Sequence, residues 1–371
     1  MLIRHQLAAL AAALLLAACG GGDPAPVKTT AVKVAGDSLN DSGTFGFKFT
    51  VQTTPTAMIW TDRVAAAVNA PALCPRYAAT SATTVALNPT ATSCTSYGVG
   101  GGRINPTGLP GDTTPFSVVQ QLKDIAASGN YGPEELLLVD GGGNDAADLV
   151  GAYLNAQTDG GISFGALVGE LGVTVPSADL VPVGVTYMTA LANRLADAID
   201  TEALAKGAQR VVVITAPDVT VTPRFLALLA GISATTDPAT AAAVKSAANS
   251  WVVAFNTQLK SRFISSSKVA VVDFYAELNK WVSNPTDPAY GLTNVTTPAC
   301  PQVGTDVQGL PTYNIGACTD ILLNTAPFPA GETAINWWQT YVFSDNFHGT
   351  PRTNQLMGEL VTTALEARGW K

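Results

Sequence analysis

Four short apolar runs, far apart in the chain and each ending in a turn or acidic residue, constrain the fold more than any other feature. They are Val32–Ala35, where Val32 and Val34 alternate about Lys33, and the runs Leu136–Val139 before Asp140, Val211–Thr215 and Val269–Asp273. A continuous apolar run has no polar face to offer water, so a strand built from it must be covered on both sides, as in a parallel sheet. Segments of helical period lie between them. Met58–Val68 sets Ile59, Val64 and Val68 near one face, and a helix is expected over Thr114–Ala127. Val185–Lys206 aligns Met188, Leu191, Leu195, Ile199 and Ala203 in one stripe and stops at Gly207. An Ala-rich stretch over Pro238–Ser265 carries Trp251 and Phe255, and Gly349–Arg368 closes the chain. Strand alternating with helix predicts an α/β domain, a three-layer α/β/α sandwich around a mostly parallel central sheet. With 371 residues, 47% hydrophobic and 13% charged, the chain can fill one large core.

The N-terminus sets the surroundings. Arg4 and His5, the apolar stretch Leu7–Ala18 and the site Leu16-Ala17-Ala18 have the three-part layout of an export signal, too short to span a bilayer. Because it ends Leu-Ala-Ala-Cys, the segment looks like the lipobox of bacterial lipoproteins. That resemblance implies cleavage before Cys19, lipidation of Cys19 and, with Gly20 rather than Asp next, an outer-membrane address on its periplasmic or surface face. A secreted protein with an incidental Cys19 is the alternative. The chain then divides into a signal peptide over residues 1–18, a flexible tether rich in Gly, Pro and Thr over 19–30, and one domain over 31–371. The 20 basic and 28 acidic residues include no basic run, which argues against nucleic acid and against docking on anionic lipid. Neutral substrates suit such a surface, and a monomer is expected.

Removing Cys19 leaves four of the five cysteines, an even number for an oxidising compartment. Pairing Cys74 with Cys94 and Cys300 with Cys318 closes local loops and stabilises by roughly 3 kcal/mol per bridge; two other connectivities are open. Zinc is a weaker rival, since no C-x-x-C occurs and no histidine lies nearby. The two cysteine pairs sit in or beside irregular stretches near 70–96 and 284–335, which read as insertions stapled to the body.

The chemistry narrows to one imidazole. Of two histidines, His5 leaves with the signal, so any histidine-dependent mechanism must use His348, and multi-histidine metal sites such as H-E-x-x-H are excluded. His348 follows Asp345 by three residues in a turn before a helix, so Asp345 can accept from Nδ1 and leave Nε2 free as a base. A nucleophile is offered where the first strand ends, in Gly36-Asp37-Ser38-Leu39. The competing reading is an ordinary strand-to-helix turn capped by Asp37 or Ser38. Oxyanion donors would be the Ser38 amide, the glycines of Ser96–Arg103, read as a second strand ending in glycines, and the Asn144 side chain, all at strand termini.

These residues resemble the SGNH (GDSL-type) hydrolases. Gly36-Asp37-Ser38-Leu39 with Asp41 and Gly43 matches the first block, and Ser96–Arg103 looks like the second, carrying the glycine donor onto Gly101. Gly142-Gly143-Asn144-Asp145 fits the third, G-x-N-D, and Asp345-Asn346-Phe347-His348 fits D-x-x-H. Ser96 stands where the family usually has Asn, and Gly349 where Pro commonly follows the histidine. The resemblance implies the flavodoxin-like SGNH fold, a Ser38–His348–Asp345 triad, an oxyanion hole of Ser38, Gly101 and Asn144, and cleavage of carboxylic esters without metal or organic cofactor. It looks closest to the secreted esterase and phospholipase-like branch, where a C-terminal autotransporter barrel is common; a lipid anchor is expected here instead. The partner implied is a small-molecule or lipid ester. A glycan O-acetylesterase and a non-catalytic surface binding protein on the same fold are the alternatives.

Three further patterns compete for attention. Gly161-Ile162-Ser163-Phe164-Gly165 matches the G-x-S-x-G elbow, but the polar Leu154–Gly160 before it is no buried strand. The glycine runs lack G-K-[ST], and Gly98–Arg103 breaks G-x-G-x-x-G at its last glycine, which argues against nucleotide binding. Phe45, Phe47, Trp337, Trp338, Phe343 and Phe347 flank the motifs; most read as ordinary packing, and Trp337 or Trp338 is expected to reach the cleft.

Overall fold

The structure is a computed structural model that describes residues 28–106, 113–325 and 327–371; Cys19, the export signal and most of the tether lie outside the described residues. The apolar runs form β1 (Ala31–Ala35), β4 (Glu135–Val139), β5 (Val211–Ile214) and β6 (Val269–Val272), one parallel sheet in the order β1-β4-β5-β6. A hairpin of β2 (Tyr77–Ser81) and β3 (Thr84–Leu87) lies in the first insertion, within the stretch expected to be irregular.

Because strand side chains alternate, each strand feeds two cores. Leu137, Val139, Val211, Val213 and Val269 face one, with helices α2 (Val118–Ala127), α3 (Gly143–Asp159), α5 (Val181–Ile199) and α7 (Pro238–Phe263). Val32, Val34, Leu136, Leu138, Val212 and Val272 face the other, with α1 (Trp60–Ala67), α8 (Phe274–Ser283) and α10 (Pro351–Ala367). This is the α/β/α sandwich that the doubly apolar strands require. The expected stripe from Met188 to Ala203 is buried throughout, α5 running on into a π-helical turn over Asp200–Leu204. Helices not expected from the sequence include α3, α4 (Ile162–Gly169), α6 (Pro223–Thr235) and α8.

Two expectations need correction. Ser96–Arg103 lies beside β1, with Val34 N–H donating to Thr95 O and Tyr97 N–H to Val34 O, but it is no regular strand, since its glycines turn the chain and Gly102 N–H closes onto Val99 O. Trp337 and Trp338 do not reach the cleft. They are buried in a third core with Val51, Tyr341 and the Cys300–Cys318 disulfide, their indole N–H groups donating to Leu323 O at 2.9 Å and Asn324 Oδ1 at 3.2 Å. The second insertion folds around this core, with the hairpin β7 (Gln302–Thr305) and β8 (Pro311–Tyr313) and the short helix α9 (Asp320–Leu323). The disulfides are Cys74–Cys94 and Cys300–Cys318, the local pairing expected.

Candidate active site

A cleft of about 260 Å³ opens where all four parallel strands end, the position at which α/β sheets collect reactive groups. Each strand sends its next few residues into the wall: Asp37 and Ser38 after β1, Gly143 and Asn144 after β4, Pro217 and Val219 after β5, Phe274 after β6. Ser38 sits on a tight turn. Asp37 Oδ1 accepts the Leu39 N–H at 2.9 Å, Asn40 N–H donates to Asp37 O at 3.1 Å, and Gly36 N–H donates to Gln121 Oε1 at 2.6 Å. Asp41 laces this turn to the glycine segment, accepting Thr44 N–H at 2.7 Å and Gly100 N–H at 2.8 Å. Ser96 takes part in the same lacing through Ser42, their hydroxyls 2.9 Å apart.

The imidazole arrives from the other end of the chain. Residues 343–349 fold back on themselves, Ser344 N–H donating to His348 O at 2.7 Å and Phe343 bridging Gly349, while Thr350 caps α10. Inside that turn Asp345 Oδ1 accepts the backbone N–H of both Phe347 and His348, at 2.9 and 2.8 Å. His348 Nδ1 is 2.8 Å from each Asp345 oxygen, and Nε2 is 2.8 Å from Ser38 Oγ. A carboxylate can only accept, so the ring carries its proton on Nδ1 and Nε2 accepts from the serine hydroxyl. Burial pulls the His348 pKa down, but the Asp345 charge and hydrogen bond, helped by Asp37, outweigh it and hold it above the ordinary value. Burial also works against ionised Asp345, yet the imidazole and the two backbone donors leave its carboxyl below the ordinary range.

Ser38, Gly101 and Asn144 line the cleft together. Among the described residues, the backbone N–H groups of Ser38 and Gly101 meet no acceptor, whereas Gly100 N–H is held by Asp41 and Gly102 N–H by Val99 O. Gly98 N–H meets none either, but of the two glycines it is Gly101 that lines the cleft. Asn144 stands in the first turn of α3, reached through Gly142, whose φ of +97° suits glycine. Its Nδ2 donates to Gly102 O at 3.0 Å and lies 3.4 Å from Asp37 Oδ2. The N-terminus of this 17-residue helix points its partial positive charge into the same space.

The rest of the cleft is apolar. Phe49 and Phe347 stand at His348, the Phe49 ring 4.8 Å from the imidazole, and Phe347 is partly exposed. Behind Ser38 the lining consists of Leu39, Phe274, Leu278, Phe343 and Met357, all but Leu39 buried in the α8/α10 core. Of the aromatic residues singled out in the sequence, Phe343 and Phe347 line the cleft and Phe45 and Phe47 do not. Phe49, Leu278 and Met357 carry no local sequence signal and enter only through packing. Ser163, in the G-x-S-x-G sequence, stands in the first turn of α4 with its hydroxyl donating to Asp159, and it does not line the cleft that holds His348. Among the described residues no cluster of three His, Cys, Asp or Glu side chains could hold a metal ion.

A family model described as GDSL-like Lipase/Acylhydrolase matches residues 32–361, most of the chain. No curated protein matches it.

Proposed function

Because this chain belongs to the GDSL-like lipase/acylhydrolase family, whose members are hydrolases, we propose that it cleaves carboxylic esters through an acyl-enzyme on Ser38. Ser38 Oγ attacks the ester carbonyl as His348 Nε2 takes its proton; Asp345 holds the Nδ1–H and faces the imidazolium that forms. The negative charge that develops on the carbonyl oxygen meets the Ser38 and Gly101 amides and Asn144 Nδ2, whose 3.4 Å contact with Asp37 is weak enough to exchange. His348 then protonates the leaving alcohol, and a water activated by the same nitrogen releases the acid. The observation that carries this reading is the continuous line of contacts, each 2.8 Å, from Ser38 Oγ through His348 to Asp345.

The apolar wall favours an acyl chain over a sugar as the group beside Ser38. An apolar cavity of about 150 Å³ accepts a benzene ring, so 260 Å³ accommodates about ten heavy atoms. The reading takes residues 31–371 as one hydrolase domain, a monomer, exported and held at Cys19 by lipid in the outer membrane. Ala31 enters the sheet at the end opposite the cleft, so such a tether would leave from the pole away from Ser38. The test is a panel of p-nitrophenyl esters from acetyl to palmitoyl, with fluorophosphonate labelling and Ser38→Ala as control. Medium-chain hydrolysis that vanishes with Ser38→Ala is expected. Rapid release of acetate from acetylated polysaccharide alone would instead mark an O-acetylesterase, and absence of labelling a binding protein.

A further inference from the structure

Two carboxyl groups are buried side by side behind Ser38, and the ester-cleaving steps use neither. Asp37 follows β1 and Asp140 follows β4, its neighbour in the sheet. Asp140 Oδ1 accepts the Asp37 N–H at 2.8 Å, and the two side chains also meet carboxyl to carboxyl. The approach is close enough that a Cβ on Gly36 would stand 1.6 Å from Asp140 Oδ1, so only glycine fits there. Asp140 Oδ2 is buried with no donor directed at it. The side-chain amide packed against the same glycine, Asn40 Nδ2, is committed to Ala35 O at 2.8 Å. Arg103, the cation on this side, is occupied by Asp148 and Gly101 O.

Two carboxylates in contact without a cation between them repel, and a proton on one converts that repulsion into a hydrogen bond. We propose that Asp140 is a positioning residue held as a neutral carboxylic acid, donating its Oδ2 proton to Asp37, so that the pair presents a single negative charge behind Ser38. This rests on the reading of Ser38 as nucleophile. Asp140 then clamps the Gly36-Asp37-Ser38 turn from both sides, by accepting the Asp37 N–H and by donating to its carboxylate. The charge retained on Asp37 faces Asn144 Nδ2 and adds to that of Asp345 in favouring protonated His348. Burial, ahead of the Asp37 charge, pushes the Asp140 carboxyl well above the ordinary range, in keeping with the geometry. The charged groups facing the pair are His348 from the turn before α10 and Arg103 from the glycine segment; Asp345 acts on it through His348.

The test uses the full chain in two measurements. The first is the pH profile of kcat/KM on p-nitrophenyl butyrate for wild type, Asp140→Asn and Asp37→Asn. Asn at 140 replaces a neutral donor by another, so the acid limb stays at the same pH whatever its height; Asp37→Asn removes the charge and moves it down by about one pH unit. A downward move with Asp140→Asn equal to that with Asp37→Asn means that Asp140 is ionised and overturns the proposal. Asp140→Leu, which can neither donate nor accept, lowers kcat at least ~10-fold with little change in KM if the variant folds, and the Asn variant recovers most of it. The second measurement needs no turnover. A carboxyl that stays protonated on folding makes wild type lose stability as pH rises above the unfolded value of about 3.9, so the melting temperature of Asp140→Asn gains on wild type by about 2 °C per pH unit from pH 4.5 upward. A pH-independent difference overturns the proposal even if no ester is turned over, whereas a rising one with no turnover counts only against the esterase reading.

Discussion

His348 Nε2 lies 2.8 Å from Ser38 Oγ across a separation of 310 residues. The contact joins the end of the first strand of the sheet to the turn before the last helix.

The pH dependence follows from the raised His348 pKa. The base must be neutral to accept the serine proton, so the acid limb of kcat/KM is expected above the ordinary histidine value of about 6.5. Asp345→Asn removes the main raising influence, so the limb should move to lower pH while kcat falls by about 10⁴. Rate profiles over pH 5–9 check both.

Stability should respond to the same pair with a different optimum. A raised His348 pKa contributes stability that is full below about pH 6.5 and lost as pH rises through the folded value, and a lowered Asp345 pKa contributes stability that is full above about pH 3.9 and lost on acidification. The melting-temperature advantage of wild type over Asp345→Asn is therefore expected to be greatest between about pH 4 and 6.5, below the range where catalysis is fastest. Thermal scans of the two proteins in matched buffers measure it.

Asn144→Ala removes the side-chain donor proposed for the developing oxyanion. The expected loss is 10²- to 10³-fold in kcat, roughly, with KM nearly unchanged. Steady-state kinetics, with circular dichroism to show that α3 persists, decides it; a loss confined to KM would contradict the assigned role.

Chain-length preference should be set by the floor of the cleft. Each methylene buried in it contributes about 0.8 kcal/mol, or about fourfold in kcat/KM, until the cavity is full. Met357→Trp and Leu278→Phe reduce the space and should cut activity on octanoyl esters at least ~10-fold while sparing acetyl esters. A p-nitrophenyl ester series on each variant provides the readout.

The Cys300–Cys318 bridge is expected to matter for turnover as well as for stability. Cys300 N–H donates to Ser344 O and Cys318 O accepts Gln52 N–H, both at 2.8 Å, while Val51 N–H reaches Ser344 Oγ, so the bridge braces the His348 turn. Replacing both cysteines by serine should cost about 3 kcal/mol and lower kcat. Removing Cys74–Cys94, which is tied to the sheet edge through Ser96, should cost similar stability with a smaller effect on kcat. Denaturant melts and kinetics of the two double variants make the comparison.

Much of this protein was legible in its sequence because the signals are local. A strand built from a run such as Leu136–Val139 must be covered on both faces, and a lone imidazole three residues after a carboxylate leaves one candidate base. Helix ends shifted by a few residues where caps such as Ser117 and Thr350 set the start. What the sequence by itself determined was therefore the layered parallel sheet and the identity of Ser38, Asp345, His348 and Asn144 as candidates. Only the tertiary structure decided that Gly101 lines the cleft, that Trp337 and Trp338 pack into a third core, that Phe49, Leu278 and Met357 line the cleft, and that Asp140 lies against Asp37. Those outcomes depend on contacts between residues from tens to some 300 positions apart, set by how strands and helices pack, and packing leaves no periodic trace in any one segment.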